Sequence, residues 1–307
     1  MATIYRRSLS KQAYSAWKTA ILKQKIVEQD QITPSPVNLF DLTMQDLTGP
    51  QLTSKSNVSV LPFESRKYDL EFKPCRHFML FPPRIPAQGL ANDGYDKDWS
   101  PPLPFEFRMW AGGSLNFNHK NPLKVLEHVQ QITKATQVEM KQTIRGDAIF
   151  VTVEKEISNE TGLSIVETRT LVYLENRPSE SRLVKRNTKP DFTLKVSPTT
   201  VSLFRFSALT FNSHLIHYDL EYCKDEGYPR PLVHGPLTAT LLLDFFKMSV
   251  TCGPIISFTY RAISPLVVGD TIVLKGKLSL EPGSCELWAT SSEGGIAMSG
   301  TVKFIHL

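Results

Sequence analysis

The chain has 307 residues, 41% hydrophobic and 21% charged, with a formal net charge of +5. That composition belongs to a globular protein of one large or two smaller domains and excludes a disordered or fibrous chain. No apolar run approaches the roughly twenty residues that a membrane-spanning helix needs. The four cysteines, Cys75, Cys223, Cys252 and Cys285, stand far apart without C-x-x-C spacing, which argues against a zinc knuckle or a disulfide scaffold and fits a reducing compartment.

Residues 1–25 carry Arg6, Arg7, Lys11, Lys18, Lys23 and Lys25 and no acid, the first being Glu28. Tyr5, Leu9, Ala13, Trp17 and Ile21 recur every four residues, so the start is basic, serine-containing and amphipathic, the composition of a mitochondrial transit peptide. A short helix is expected over Val37–Leu47, after Pro34-Ser35-Pro36. Residues 74–104 hold seven prolines and little periodicity, which predicts a long ordered loop, the kind of segment that often serves as a lid or binding element. Strands are expected at 113–119, 127–144, 147–157 and 164–174, all rich in Val, Ile, Thr and Phe.

The run from Glu175 to Asp191 is polar and charged, and a linker is expected over 176–197. A second half follows, with an entry strand expected near 200–206 and strands at 254–262, 270–281, 284–292 and 295–306. Between them, Gly235-Pro236 opens a helix in which Leu237, Ala239, Leu241, Leu242, Leu243, Phe245, Phe246 and Met248 fall on every face. Proline suits the first helical turn, and a helix apolar all round must be buried. It is too short to cross a membrane, so it is read as a central core helix.

Pro265–Ile272 echoes Pro122–Val129, and an aromatic-bearing strand precedes each copy: Phe117 before the first, Phe258 and Tyr260 before the second. A repeat of this size implies duplicated domains. Arg108–Gly113 stands where the second copy has Pro231–Pro236, and no long apolar helix follows it. The N-terminal copy is therefore expected to carry a degenerate helix.

Polar chemistry gathers just before the core helix. Asn212, His214 and His217 lie within six residues, and His234-Gly235 marks the helix start. Histidines titrate near neutrality and act as general acids or bases, while a helix N-terminus presents unpaired N–H groups to an anionic oxygen. Three histidines could also bind zinc. The positive helix end beside His234 disfavours a cation, however, and no metal or cofactor is expected.

These segments resemble the R-specific hydratase/dehydratase (MaoC-like) branch of the hotdog fold, in which a D-x-N-P-x-H segment precedes a helix opened by His-Gly. The variant FSALTFNSHLIHYD…YPRPLVHGPL is similar to mesaconyl-CoA hydratases and to mitochondrial 3-hydroxyacyl-thioester dehydratases of type 2. The resemblance sets His217 on the family's catalytic His and Asn212 on its Asp. It implies an α+β double hotdog, with antiparallel sheet wrapped around a buried central helix.

The implied activity is dehydration of (3R)-3-hydroxyacyl thioesters in mitochondrial fatty-acid synthesis. His217 would be the base, and His234 and Gly235 would be at the oxyanion. Asn212 cannot ionise, so the proton for the leaving hydroxide would come from His214, or from His217 acting in both directions. Related hydratases begin their folded part with a Trp and an I-T-P step, as Trp17 and Ile32-Thr33-Pro34 do here. This sets the expected division as a presequence over 1–14, a non-catalytic N-terminal domain over 15–175 and a catalytic domain over 198–307. Losing Arg6, Arg7 and Lys11 would lower the net charge from +5 to +2.

The expected partner is an acyl thioester on acyl carrier protein or CoA, in the mitochondrial matrix, with no nucleic acid; a homodimer is compatible. Three alternatives remain: a CoA-linked enoyl or mesaconyl-type hydratase, an acyl-thioester-binding protein without turnover, and a hotdog thioesterase. Thioesterases of the fold place a carboxylate near the central helix, and Asp244 lies deep along it.

Overall fold

A computed structural model describes residues 9–49, 72–143, 146–176 and 183–306. Residues 1–8 of the expected presequence and 177–182 of the expected linker lie outside them. The first described element is α1 (Lys11–Lys23), started by Ser10, whose side chain accepts the N–H of Ala13. The expected presequence boundary at residue 14 falls inside this helix. Ile21 is buried, and Tyr14 and Trp17 pack with it against Val138, Val151 and Tyr173.

Strand β1 (Lys25–Gln31) leads into α2 (Pro34–Thr48), somewhat longer than the helix expected from sequence. Four strands follow in antiparallel succession: β2 (Phe107–Phe117), β3 (His128–Thr143), β4 (Gly146–Asn159) and β5 (Gly162–Leu174). In the second half come β6 (Phe192–Val196), α3 (Thr200–Thr210), α4 (Leu220–Asp225) and α5 (Gly235–Ser249). The chain closes with β7 (Ile255–Ala262), β8 (Ile272–Leu278), β9 (Ser284–Thr290) and β10 (Ile296–Phe304).

The ten strands of the described residues form one sheet in the order β1-β3-β4-β5-β2-β7-β10-β9-β8-β6. Read outward from the β2–β7 seam, each half repeats the other, with β1 matching β6, β2 matching β7, and β3, β4 and β5 matching β8, β9 and β10. α2 and α3 occupy corresponding places after β1 and β6. Gly113 pairs with Tyr260 and Leu115 with Phe258 across the seam, so the two aromatic-bearing strands of the repeat are direct neighbours. The fold is an α+β double hotdog.

Within the second half, Leu237, Ala239, Leu241, Leu242, Leu243, Phe245 and Phe246 are all buried, as uniform apolarity demands; Met248 emerges into solvent. Removing one of these side chains, as in Leu242→Ala, leaves a cavity and costs about 2–5 kcal/mol. Asp244 is the polar break in this surface. The Arg76 guanidinium, 3% exposed, reaches both Asp244 and Asp41 at 2.7 Å, tying α5 and α2 to the loop that follows α2. Among the described residues, no counterpart of α5 lies between α2 and β2. Within the described residues 72–106, 3-10 turns at Arg76–Met79 and Ala87–Gly89 interrupt an otherwise irregular path.

Two sequence expectations are corrected. The strand expected near 200–206 is helix α3. Its buried residues, Ser202, Leu203 and Phe206, follow helical spacing, and Thr199 and Ser202 cap it reciprocally. The strand of this region is β6, inside the expected linker, and it pairs with β8. Arg108–Gly113, expected to match the start of the core helix, instead lies within β2 and matches β7. The double run of small residues in Ala111-Gly112-Gly113 accommodates a register shift between Trp110 and Gly112, not a helix start.

Candidate active site

The site is built on the connection between α3 and α5. α3 ends at Phe211, which adopts a left-handed conformation (φ 50°). Asn212 follows, its N–H donating to the Ser207 carbonyl at 2.9 Å. Its side-chain Oδ1 accepts the His214 N–H at 3.0 Å, a local turn typical of Asn. A 3-10 turn over Leu215–His217 then sets the second histidine. The Leu232 N–H donates to the Ile216 carbonyl at 2.9 Å, binding this turn to the segment that enters α5.

His217 Nδ1 donates to the Leu232 carbonyl at 2.8 Å. Since a carbonyl only accepts, the proton of the neutral ring is held on Nδ1, and Nε2 carries the lone pair. Burial pushes His217 down to about 4, partly offset by the Leu232 carbonyl. Burial, followed by the neighbouring His217 and Arg108, pushes His214 down to about 2. All three site histidines are therefore uncharged at neutral pH, because His234 is also held well below the usual range by burial and by the other two rings.

The His234 ring is fully buried rather than open to a ligand. It stacks on His217 with centroids 3.6 Å apart and 21° between planes, and its Nε2 meets Ser207 Oγ at 2.8 Å. The part of this pair that reaches the cleft is Gly235, the first residue of α5. A Cβ there would come within 2.1 Å of Trp110, so only glycine lets that indole lie against the helix start. Among the described residues no group of three His, Cys, Asp or Glu is arranged to hold a metal ion.

The cleft encloses about 750 Å³ and is lined by Asn212, His214, His217 and Gly235 from the second half. Asp93, Tyr95, Arg108 and Trp110 line it from the first half, so the cleft sits between the halves. Asp93 comes from the proline-rich loop. Its Oδ2 lies 3.0 Å from Arg108 Nη2 and 3.4 Å from His214 Nε2, and the Arg108 guanidinium stacks 3.9 Å over Tyr95. Asp93, Arg108, Trp110 and Ser207 were not singled out from sequence. The only signal for Asp93 was the character of the 74–104 loop as a whole.

The family model described as hydroxyacyl-thioester dehydratase type 2 matches residues 75–268. The chain is 34% identical over 241 residues to the mesaconyl-C(4)-CoA hydratase of Chloroflexus aurantiacus, covering 76% of this chain and 84% of that one. It is 26% identical over 287 residues to the mitochondrial hydroxyacyl-thioester dehydratase type 2 of Schizosaccharomyces pombe, covering 82% and 89%. A solved MaoC-like dehydratase from Phytophthora capsici superposes with a TM-score of 0.65 at 15% identity, over 94% of this chain and 96% of that one. With the histidine pair set at the mouth of a buried helix in a double hotdog, the chain belongs to the hydroxyacyl-thioester dehydratase type 2 family, a family of hydro-lyases.

Proposed function

We propose that the protein interconverts (3R)-3-hydroxyacyl and trans-2-enoyl thioesters, with His217 as the proton-transfer group. The observation that carries this reading is the His217 Nδ1–Leu232 bond, which leaves Nε2 unprotonated on a residue lining the cleft, beside the N-terminus of α5. In dehydration, His217 Nε2 takes the α-proton while the Gly235 N–H and the helix dipole stabilise the enolate-like oxygen. Asn212 and His214 orient the 3-hydroxyl. As the C–O bond breaks, His217 returns its proton to the departing hydroxide and water leaves. Because His214 and His217 both enter uncharged, a single ring serving in both directions needs no group that is protonated at rest.

The carrier in this reading is acyl carrier protein, the location the mitochondrial matrix and the pathway fatty-acid synthesis. The yeast relatives with mitochondrial names support it, as do the acid-free basic residues 1–25. A CoA-linked hydratase is the second reading, favoured by the 34% identical CoA hydratase.

Purified protein given crotonyl-CoA and longer enoyl thioesters on CoA and on acyl carrier protein should remove the conjugated double bond, and relative kcat/KM values separate the carriers. His217→Ala should lower turnover by roughly 10² to 10⁴, the usual worth of one positioned proton-transfer group, with folding retained. Asn212→Asp should keep substantial activity and add an ionisation to the pH–rate profile. Full activity in His217→Ala would sink the mechanism.

A further inference from the structure

The loop around Asp93 is fastened to the catalytic turn at several points. The Leu215 N–H donates to the Asp93 carbonyl at 2.8 Å, and Ser213 Oγ donates to the Gly94 carbonyl at 2.5 Å. Gly94 has φ +79°, and a Cβ there would stand 2.2 Å from the Ser213 carbonyl oxygen, so this approach needs glycine. The side chain is fixed as firmly: Oδ1 accepts the Tyr95 N–H at 3.0 Å, and Oδ2 accepts from Arg108 at 3.0 Å. A loop from the first half thus delivers one carboxylate to one ring nitrogen of His214.

We infer that Asp93 is a positioning residue for the reaction: it receives the Nε2–H of His214 and thereby fixes the tautomer in which His214 Nδ1 carries the lone pair that accepts the substrate 3-hydroxyl. This rests on the dehydratase reading above. A neutral imidazole offers one donor and one acceptor, and the hydrogen bond made by one nitrogen decides what the other presents. Asp93 Oδ2 lies 3.4 Å from His214 Nε2, and among the described residues no protein group bonds Nδ1, on a residue that lines the cleft.

The reversed tautomer would point a donor at the hydroxyl and drive Nε2's lone pair against a carboxylate. Asn212 cannot supply this charge, since an amide is neutral. The other groups around His214 are Arg108, His217, Tyr95 and Tyr222. The three rings stand edge-on to it, with centroids 5.6, 5.7 and 6.2 Å away for His217, Tyr95 and Tyr222. The half expected to be non-catalytic would then hold a residue on which the chemistry depends.

The experiment joins kinetics to 15N NMR of the histidine rings in the full chain. Asp93→Asn should lower kcat on the order of 10²-fold, the scale of a misplaced reacting group, and leave KM nearly unchanged. His214→Ala should cost a similar factor. The double variant should be little worse than either single one, because both act through the same ring. The wild-type His214 signals should report Nε2–H, and Asp93→Ala should bring up the Nδ1–H form.

Multiplicative losses in the double variant, or an unimpaired Asp93→Asn, would overturn the inference. So would a wild-type His214 carrying its proton on Nδ1, a result that needs no variant to fold. Wild-type protein that hydrates no enoyl thioester would defeat the dehydratase reading instead, while the tautomer measurement would still decide the role of Asp93.

Discussion

Three imidazoles held neutral inside the fold make stability depend steeply on pH. His217 is pushed to about 4 and His214 to about 2, and His234 lies well below the usual range. In the unfolded chain each returns to about 6.5. Between these limits the unfolded state binds protons that the folded state does not, so stability is fully present above about pH 6.5 and is lost as the pH falls toward the folded values.

At pH 5 the His214 and His217 rings each cost about 2 kcal/mol, close to the full protonation energy of the unfolded form, together about 4 kcal/mol, and His234 acts in the same direction. Water in the cleft screens His214 and His217, so this sum is a ceiling. It still approaches the lower end of the stability of an ordinary domain, about 5–15 kcal/mol. Urea unfolding at 25 °C should therefore show stability falling by at least about 2.5 kcal/mol per pH unit near pH 5.5, the slope of the two protons taken up by His214 and His217. His217→Gln, whose amide can keep the Leu232 bond, should reduce the slope by the share of one proton, about 1.2 kcal/mol per pH unit. A flat profile from pH 7 to 5, or an unaltered slope in the variant, would refute the argument that these rings are neutral by burial.

Gly235→Ala should displace the Trp110 ring and lower kcat on the order of 10²-fold, and Gly235→Ala with Trp110→Leu should recover part of that loss in the same assay. Arg76→Leu leaves Asp244 buried without its partner and should cost about 3–5 kcal/mol in urea unfolding, while the folded fraction keeps its kcat because Asp244 is far from Gly235 along α5. Changing the exposed His119 and His128 to Gln should leave turnover within about tenfold. His77, buried 3.4 Å from Glu167, should when changed lower thermal stability more than it lowers kcat. A reporter fused to residues 1–25 should enter mitochondria; a diffuse cytosolic signal would favour the CoA-linked reading.

The uniform apolarity of Leu237–Phe246 was enough to place a buried helix, because no other environment accepts such a surface. The Val-, Ile-, Thr- and Phe-rich strands and the local grouping of Asn212, His214 and His217 were legible because each depends on neighbours within a few residues, and the echo of Pro122–Val129 in Pro265–Ile272 because it needs only the linear order. At 200–206, where a strand is expected, the burial of Leu203 and Phe206 shows the helical face of α3.

What the tertiary structure alone decided is how distant segments meet. The β2–β7 seam carries Arg108 and Trp110 to the mouth of α5, and the proline-rich loop brings Asp93 to His214 across 121 residues of chain. Packing also turned the His234 ring inward onto Ser207 and left only its neighbour's backbone for the cleft. A sequence lists which groups can accept or donate a proton. Which nitrogen holds it is set by a carbonyl at 232 and a carboxylate at 93, through contacts that exist only once the sheet has closed.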